Sequence, residues 1–300
     1  MLSEILLAAF SGLTVGSMYA LIAVGVTLIY SATRIINFAQ GEFVMLGGMI
    51  MVTLYGERGW PLAAAIAATI VITVAVAALL MAVSFRTGSR SSLISVLIIT
   101  IGASMALSGG AYHVWDGDVH RFAPFSGDQP ITVFGASVTP QALWIIGTTA
   151  VAMIVLGGFL RYTIYGKAMR ACAIDPSAAG LMGIRVRRMV LLAFVLAGAL
   201  GCIAGIVMTP LTMVDYGGGM LLAIKGFSAA MLGGMGSVAG AVLGAMVFGF
   251  LESFSVAFLS SAAKELITFV VIILVLLLMP RGLMGERSSE ALGHEDVMEH

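Results

Sequence analysis

The chain consists largely of apolar segments of about 20 residues, a length that lets an α-helix cross a bilayer. Hydrophobic residues make up 60% of the 300-residue sequence and charged residues only 10%. About a quarter of a typical soluble chain is charged, so a soluble globular protein does not need this balance. We therefore predict an all-α, polytopic membrane protein with a single membrane domain.

Polar breaks divide the sequence into about eight or nine membrane segments within a single transmembrane domain of residues 1–285, followed by a polar cytoplasmic tail, 286–300. The predicted segments are approximately 5–30, 37–55, 61–84, 92–111, 141–160, 189–210, 220–236, 237–257 and 266–279. The segment 220–236 is short, and we predict that it is broken or re-entrant. The first segment carries Gly12 and Gly16, a G-x-x-x-G pair that favours close approach of a neighbouring helix.

Basic residues predict which loops face the cytoplasm, because short loops rich in Lys and Arg resist translocation. The longest basic interruption, 161–188, carries six basic residues against the single acid Asp175. Further pairs follow the third segment (Arg86, Arg90) and the last segment (Arg281, Arg287). The loop 112–140 is acidic and is predicted to be external, as is the N-terminus.

The basic loop also contains small and apolar residues, which indicates one or two short helices that face a cytoplasmic partner. Asp175 followed by Pro176 is typical of a helix start, with the acid as cap and proline in the first turn. The alternative is a positive-inside loop that has no partner. The candidate coupling residues are Gly166, Arg170, Ala171, Asp175, Ala178, Ala179, Gly180, Leu181 and Gly183.

Few polar residues lie at membrane depth, and ionisable groups there are functional candidates. Asn37, Gln40 and Glu42 open the second segment, where Asn37 can cap the helix and Glu42 is either a structural cap or part of a transport pathway. Lys225 lies near the start of its segment, where capping or snorkelling explains it. We expect Glu252 to be hydrogen-bonded or interfacial rather than in contact with substrate.

One short repeat is visible: Met-Leu-Gly-Gly-Met occupies residues 45–49 and again 231–235. The predicted topology gives the two copies opposite directions. Inverted repeats with discontinuous helices near the midplane build the pathway of many transporters. The alternative is a chance match in a sequence rich in glycine and methionine.

The sequence contains no motif for an energy-converting or catalytic centre. It has no G-x-x-x-x-G-K-[ST] phosphate loop, no H-E-x-x-H and no cysteine cluster. The two cysteines, Cys172 and Cys202, are not expected to form a disulfide. His113, Asp116, Asp118 and His120 of the external loop could in principle bind a metal, but a solvated polar loop is the interpretation that we favour, and we predict no metal site. A net charge of zero gives no indication of nucleic-acid binding.

Several stretches resemble the permease subunit of branched-chain amino acid ABC importers, and the resemblance covers nearly the whole chain. The matching stretches are 12–25, 36–42 (Ile-Asn-Phe-Ala-Gln-Gly-Glu), 166–173 with 181–184, 227–237 and 280–285. The family usually has histidine where Gln40 stands, which puts any role of that side chain in doubt.

The resemblance implies a subunit of a heteromeric importer in a bacterial inner membrane. Its implied partners are cytoplasmic ATP-binding subunits that use ATP, a second homologous permease and a periplasmic substrate-binding protein, while this chain binds no cofactor of its own. The stretch 166–184 resembles the loop that docks on the ATPase. Related permeases carry urea, amides and other amino acids, so the cargo stays open. The alternative class is a secondary transporter or channel without an ATPase partner, which would need its own coupling-ion site or filter.

Overall fold

The computed structural model of the protein describes residues 2–85, 93–133 and 136–258, together with 269–270, 273–274, 277 and 282–284. Within these residues the chain forms ten α-helices, which confirms the predicted helical class. The helices are α1 (Leu2–Thr33), α2 (Gln40–Met51), α3 (Leu62–Ser84), α4 (Leu93–Trp115), α5 (Pro140–Tyr162), α6 (Ile164–Ile174), α7 (Pro176–Leu181), α8 (Val186–Thr212), α9 (Gly218–Gly233) and α10 (Val238–Phe258). A small antiparallel hairpin, β1 (Ile131–Val133) and β2 (Ala136–Val138), lies in the loop that we predicted to be external.

Six helices are long and apolar enough to cross a membrane: α1, α3, α4, α5, α8 and α10. Two shorter helices complete the bundle: α2 has 12 residues, continued by the π-helical segment Val52–Glu57, and α9 has 16. Eight of the nine predicted segments thus correspond to helices. The ninth, 266–279, lies mostly outside the described residues, as do Arg86, Arg90, Arg281, Arg287 and the tail 286–300.

Glycines allow α1 and α10 to pack closely together, as the G-x-x-x-G pair predicts. A Cβ atom on Gly12 would lie 2.6 Å from Cδ1 of Phe250, and one on Gly16 would lie 3.0 Å from Cα of Met246. Gly249 of α10 lies at the same contact, since a Cβ there would lie 2.7 Å from the carbonyl oxygen of Gly12. Any larger side chain at this contact would push the two helices apart.

Helix α8 is the centre of the bundle, with α1, α2, α3 and α5 packed around it. Its glycines lie at the closest contacts. A Cβ on Gly201 would lie 2.9 Å from Cβ of Phe43 in α2, and one on Gly198 would lie 2.6 Å from Cβ of Ala77 in α3. By contrast α4 and α5 leave most of their apolar surface exposed.

Helix α2 begins halfway along its neighbours rather than at the end of the bundle. Its first residue, Gln40, hydrogen-bonds to Ala197 in the middle of α8, and Glu42 bonds to Ser104 in the middle of α4. The first turn of α9 packs directly on that of α2, where Gly41 meets Gly219. Two short helices therefore meet by their N-terminal turns inside the protein, an arrangement found in transporters with discontinuous helices.

The two copies of the Met-Leu-Gly-Gly-Met repeat have different local structures. The copy 45–49 lies inside α2, whereas 231–235 runs from the last turn of α9 into a turn at Gly234 with φ of 103°. An inverted relation between the two halves of the chain stays a prediction.

Contacts at the two ends of the bundle agree with the predicted order of crossings. At one end Arg34, just after α1, donates from Nη2 to the carbonyl oxygen of Ala173 in α6 (2.6 Å), and Ser31 bonds to Gly236. At the other end the indole nitrogen of Trp115, in α4, donates to Thr53 Oγ1 (2.6 Å). The end of α1, the α6–α7 loop and the α9–α10 turn thus share one face, although which face is cytoplasmic stays a prediction.

Candidate transport pathway and coupling surface

The entry to α2 is a tight polar turn. Arg34 has a φ of 58°, an uncommon left-handed conformation that reverses the chain after α1. Asn37 is buried, and its Oδ1 accepts a hydrogen bond from the backbone N–H of Ala39 (3.1 Å). The N-cap residue is Ala39, without a side-chain cap bond. The prediction that Asn37 caps the helix is therefore wrong: its side chain stabilises the turn that precedes the helix.

Gln40 holds α2 against the centre of the bundle. The fully buried side chain donates from Nε2 to the carbonyl oxygen of Ala197 (3.0 Å), in the space left by Gly25 of α1 and Gly201 of α8. This residue therefore joins three helices, and its part in a pathway stays a prediction.

Glu42 points the other way, towards α4 and α9. Its side chain is buried, with only 1% of its surface exposed, and Oε1 accepts a hydrogen bond from Ser104 Oγ (2.8 Å). No hydrogen-bond partner for Oε2 is found among the described residues. A Cβ on Gly219 would lie 2.5 Å from Oε2, so this oxygen faces the first turn of α9. The three predicted polar residues thus do not form one cluster, and Glu42 alone faces the junction of the two short helices.

A cavity of about 180 Å³ lies beside this junction, between α2, α8 and α9. Its walls are mainly aliphatic and methionine side chains, with Asp215, Thr209 and Thr212 as polar groups. Gly219 lines the cavity and also contacts Glu42. Sequence reasoning missed this cavity because its walls come from three helices that are distant in the chain.

One face of α4 contacts the connection between α8 and α9, residues 213–217, which we call the α8–α9 break. Ser104, Ser108 and Tyr112 recur every fourth residue, the spacing of a single helix face. Ser108 Oγ donates to the carbonyl oxygen of Tyr216 (2.5 Å), and the rings of Tyr112 and Tyr216 meet edge-to-face at 5.1 Å.

The loop after α4 continues this attachment. His120 and Val214 pair as an antiparallel bridge with N···O distances of 2.8 and 2.9 Å. The predicted external loop is therefore a structured element joined to the α8–α9 break. Within the described part of the chain, no group of three His, Cys, Asp or Glu residues is placed to hold a metal ion.

A buried ion pair links α9 to α10 and α1. Lys225 Nζ lies 3.4 Å from Glu252 Oε1, and the Tyr19 hydroxyl donates to Glu252 Oε2 at 2.8 Å. Lys225 is only 8% exposed and Glu252 2%. The interpretation of Lys225 as a capping or snorkelling residue is therefore wrong, because its ammonium group turns into the bundle. The expectation that Glu252 is hydrogen-bonded is confirmed.

The basic loop folds into the two predicted short helices, α6 and α7. Asp175 caps α7: its Oδ1 accepts from the N–H groups of Ser177 (2.8 Å) and Ala178 (3.1 Å), and Pro176 occupies the first position. Gly166 sits against the backbone of Leu160, where no side chain would fit, and Gly183 ends α7 with φ of 83°. Local sequence signals of capping and turn formation therefore predicted this loop correctly.

The helix pair presents apolar side chains to its surroundings. Ile174, Leu181 and Met182 are 83%, 91% and 84% exposed. Arg170, Ala178 and Gly180 are exposed beside them, with no atom within 4 Å of a Cβ placed on Gly180. We call this exposed set, residues 170, 174, 178 and 180–182, the coupling surface.

Three predicted coupling residues are not exposed. Gly166 and Ala179 are buried and Ala171 is half-buried, so none of them is available to a partner in the way that Ala178 is. Cys172, also buried, is free, as is Cys202, which confirms that they form no disulfide. Burial raises the pKa of the Cys172 thiol above its ordinary value.

A multi-pass bundle with two short helices meeting in its interior and an apolar helix pair outside the spans has the architecture of a membrane transport permease. The chain matches the family described as "Branched-chain amino acid transport system / permease component" over residues 8–276. The chain therefore belongs to this family, which confirms the resemblance seen in the sequence. As a transport permease component it is not itself catalytic.

Individual relatives agree with this assignment. The chain is 36% identical to the high-affinity branched-chain amino acid transport system permease protein LivH of Escherichia coli K12, over 94% of this chain and 96% of that protein. It is 33% identical to BraD, of the same description, from Pseudomonas aeruginosa, over 93% and 95% of the two chains. The solved structure of PsaBC from Streptococcus pneumoniae in complex with Fab covers 90% of this chain and 91% of its own, with 14% identity and a TM-score of 0.51. That likeness concerns the fold alone.

Proposed function

We propose that the chain is the membrane-spanning permease subunit of an ATP-driven importer that carries branched-chain amino acids or a related small amino acid or amide. The observation that carries this proposal is the coupling surface. Exposed leucine, isoleucine and methionine side chains on a polar loop favour burial against a partner. The relatives' names supply the cargo class.

The sequence contains no phosphate-binding loop of its own, so the ATP that drives such an importer would be bound and hydrolysed by another subunit. Nucleotide binding can move the membrane helices only through contact between packed elements. We propose that cytoplasmic ATP-binding subunits dock on α6 and α7, which lie next to the end of α1 through the bond between Arg34 and Ala173.

The remaining assembly follows from the same family relation. A second homologous permease would complete the pathway, and a periplasmic substrate-binding protein would deliver cargo to the outer loop. The chain would then lie in a bacterial inner membrane, with its N-terminus periplasmic and its C-terminus cytoplasmic. Of the three polar residues at the entry to α2, Glu42 is the one that we propose lines the pathway.

Uptake by reconstituted complexes tests this function. Proteoliposomes that contain the permeases and ATPases should accumulate leucine only with loaded binding protein outside and ATP on the side of the ATPases. Collapsing the proton and sodium gradients with ionophores should leave uptake unchanged. Leucine uptake without ATP that disappears with the ionophores would instead identify a secondary transporter.

A further inference from the structure

We propose that Glu42 binds the ammonium group of an aliphatic amino acid in transit, while the neighbouring cavity receives its hydrocarbon side chain. This inference rests on the proposed function, which supplies amino acids as cargo. It adds a defined site in which the carboxylate binds the charged group and the cavity binds the hydrocarbon chain.

Only one oxygen of the Glu42 carboxylate has a hydrogen-bond partner among the described residues. Ser104 donates to Oε1, whereas Oε2 is buried without a hydrogen-bond partner in the described part of the chain. A buried carboxylate with an unmet acceptor is costly. A primary ammonium group supplies both the missing N–H donor and the opposite charge. Lys225, the buried cation among the described residues, lies beside Glu252.

Helix geometry favours a negative charge at this depth. Glu42 lies in the first turn of α2, and its free oxygen faces Gly219 in the first turn of α9. Both N-terminal turns carry partial positive charge. The two turns thus offset part of the cost of burying the charged carboxylate, which is the form that attracts an ammonium group.

The adjoining cavity is mainly apolar. Its lining includes Val44, Met45, Met208, Leu221 and Leu222. Its volume of about 180 Å³ equals the volume that roughly six water molecules occupy in the liquid. This size suits a short branched hydrocarbon chain. An apolar pocket with a few placed polar groups is the usual form of a small-molecule site.

Gly219 connects the two halves of the site. It lines the cavity and also contacts the free oxygen of Glu42, and it places no side chain in that space. Ser104 acts as a positioning residue, since its bond to Oε1 turns Oε2 towards Gly219. An aliphatic chain that carries a terminal ammonium group therefore matches the junction in charge, size and polarity.

Thermal unfolding of the purified permease–ATPase complex, without binding protein, tests the site with three probes. These are leucine, isopentylamine, which lacks the carboxylate, and 4-methylpentanoate, which lacks the ammonium group. Bound ligand raises the unfolding temperature in a concentration-dependent way. Leucine and isopentylamine should stabilise the complex, and 4-methylpentanoate should not.

Variants locate the effect. Glu42→Gln should weaken isopentylamine binding on the order of tenfold or more, because a charge-assisted hydrogen bond is lost. Ser104→Ala should weaken it by a smaller factor, and it serves as the test if Glu42→Gln fails to assemble. Glu57→Gln, an exposed acid at the end of the π-helical segment, is the matched control and should bind isopentylamine like wild type.

Equal stabilisation by isopentylamine and 4-methylpentanoate would overturn the proposal, as would unchanged isopentylamine binding in both Glu42→Gln and Ser104→Ala. The outcomes are distinct from those of the transport assay. Normal ATP-driven leucine uptake without amine selectivity refutes this site alone, whereas amine-selective binding without ATP-driven uptake refutes the proposed function alone.

Discussion

Replacing Gly249 with alanine should destabilise the bundle more than its single added methyl group suggests. The new Cβ would lie 2.7 Å from the carbonyl oxygen of Gly12 and closer still to the backbone of Gly16. Backbone atoms cannot rotate away as a side chain can. An ordinary contact starts at 3.4 Å, so α1 and α10 would have to separate by about 1 Å along a closely packed interface.

The cost follows from overpacking. Inserting a methyl group into a closely packed core destabilises by about 1–3 kcal/mol. Alanine also stabilises a helix interior by about 1 kcal/mol relative to glycine. The control substitution must therefore also replace a helical glycine with alanine. Gly147→Ala in α5 does so, because no atom lies within 4 Å of its Cβ position.

The assay is thermal unfolding of the two purified variants. The measured quantity is the fraction of protein that stays monodisperse after heating to each temperature. Gly147→Ala should equal or slightly exceed wild type. Gly249→Ala should unfold several degrees lower, at about 2–4 °C per kcal/mol for a chain of this size. Equal unfolding temperatures for Gly249→Ala and Gly147→Ala would refute the account of α1–α10 packing.

Three further predictions concern charge. In a background free of native cysteine, an impermeant thiol reagent applied to intact cells should label a cysteine at Asp118 but not one at Arg170; labelling at 170 would contradict the topology. Lys225→Met should destabilise the fold by roughly 3–5 kcal/mol because it removes the cation that balances the buried Glu252 carboxylate, and adding Glu252→Met should restore much of the loss in chemical unfolding; a double variant as unstable as the single would show that the pair is not the cause. Glu42→Ala should reduce leucine uptake far more than membrane abundance measured by immunoblot, and equal reductions would indicate a purely structural role.

The sequence alone predicted the features that depend on local chemistry. Segment length and composition predicted the spans, and Asp175 with Pro176 predicted the start of α7. The spacing of Gly12 and Gly16 predicted a close helix contact, although only the structure shows that α10 is the partner. Each of these signals acts within a few residues of the chain.

The prediction for Asn37 failed locally, because its side chain bonds to a residue only two positions away, whereas the other failures depend on contacts between distant segments. Lys225 looked like a snorkelling residue because its partner Glu252 lies 27 positions further along the chain. The depth at which α2 begins is likewise set by its contacts with α4 and α8. The division of roles between Gln40 and Glu42 follows from a turn of about 200° between their positions on one helix, which sends the two side chains to opposite neighbours.

Substrate-stimulated ATP hydrolysis shows whether the coupling surface transmits the ATP-driven motion of the partner to the membrane helices. Ala178 and Gly180 are exposed and the chain leaves space at position 180, so Ala178→Glu and Gly180→Glu should fold normally and change only the contact with the ATPase. In reconstituted complexes the wild type and the conservative variants Ala178→Ser and Gly180→Ala should hydrolyse ATP faster when loaded binding protein is added. The two glutamate variants, at wild-type permease abundance, should lose this stimulation together with leucine uptake. Full stimulation and full uptake in both glutamate variants would contradict the account.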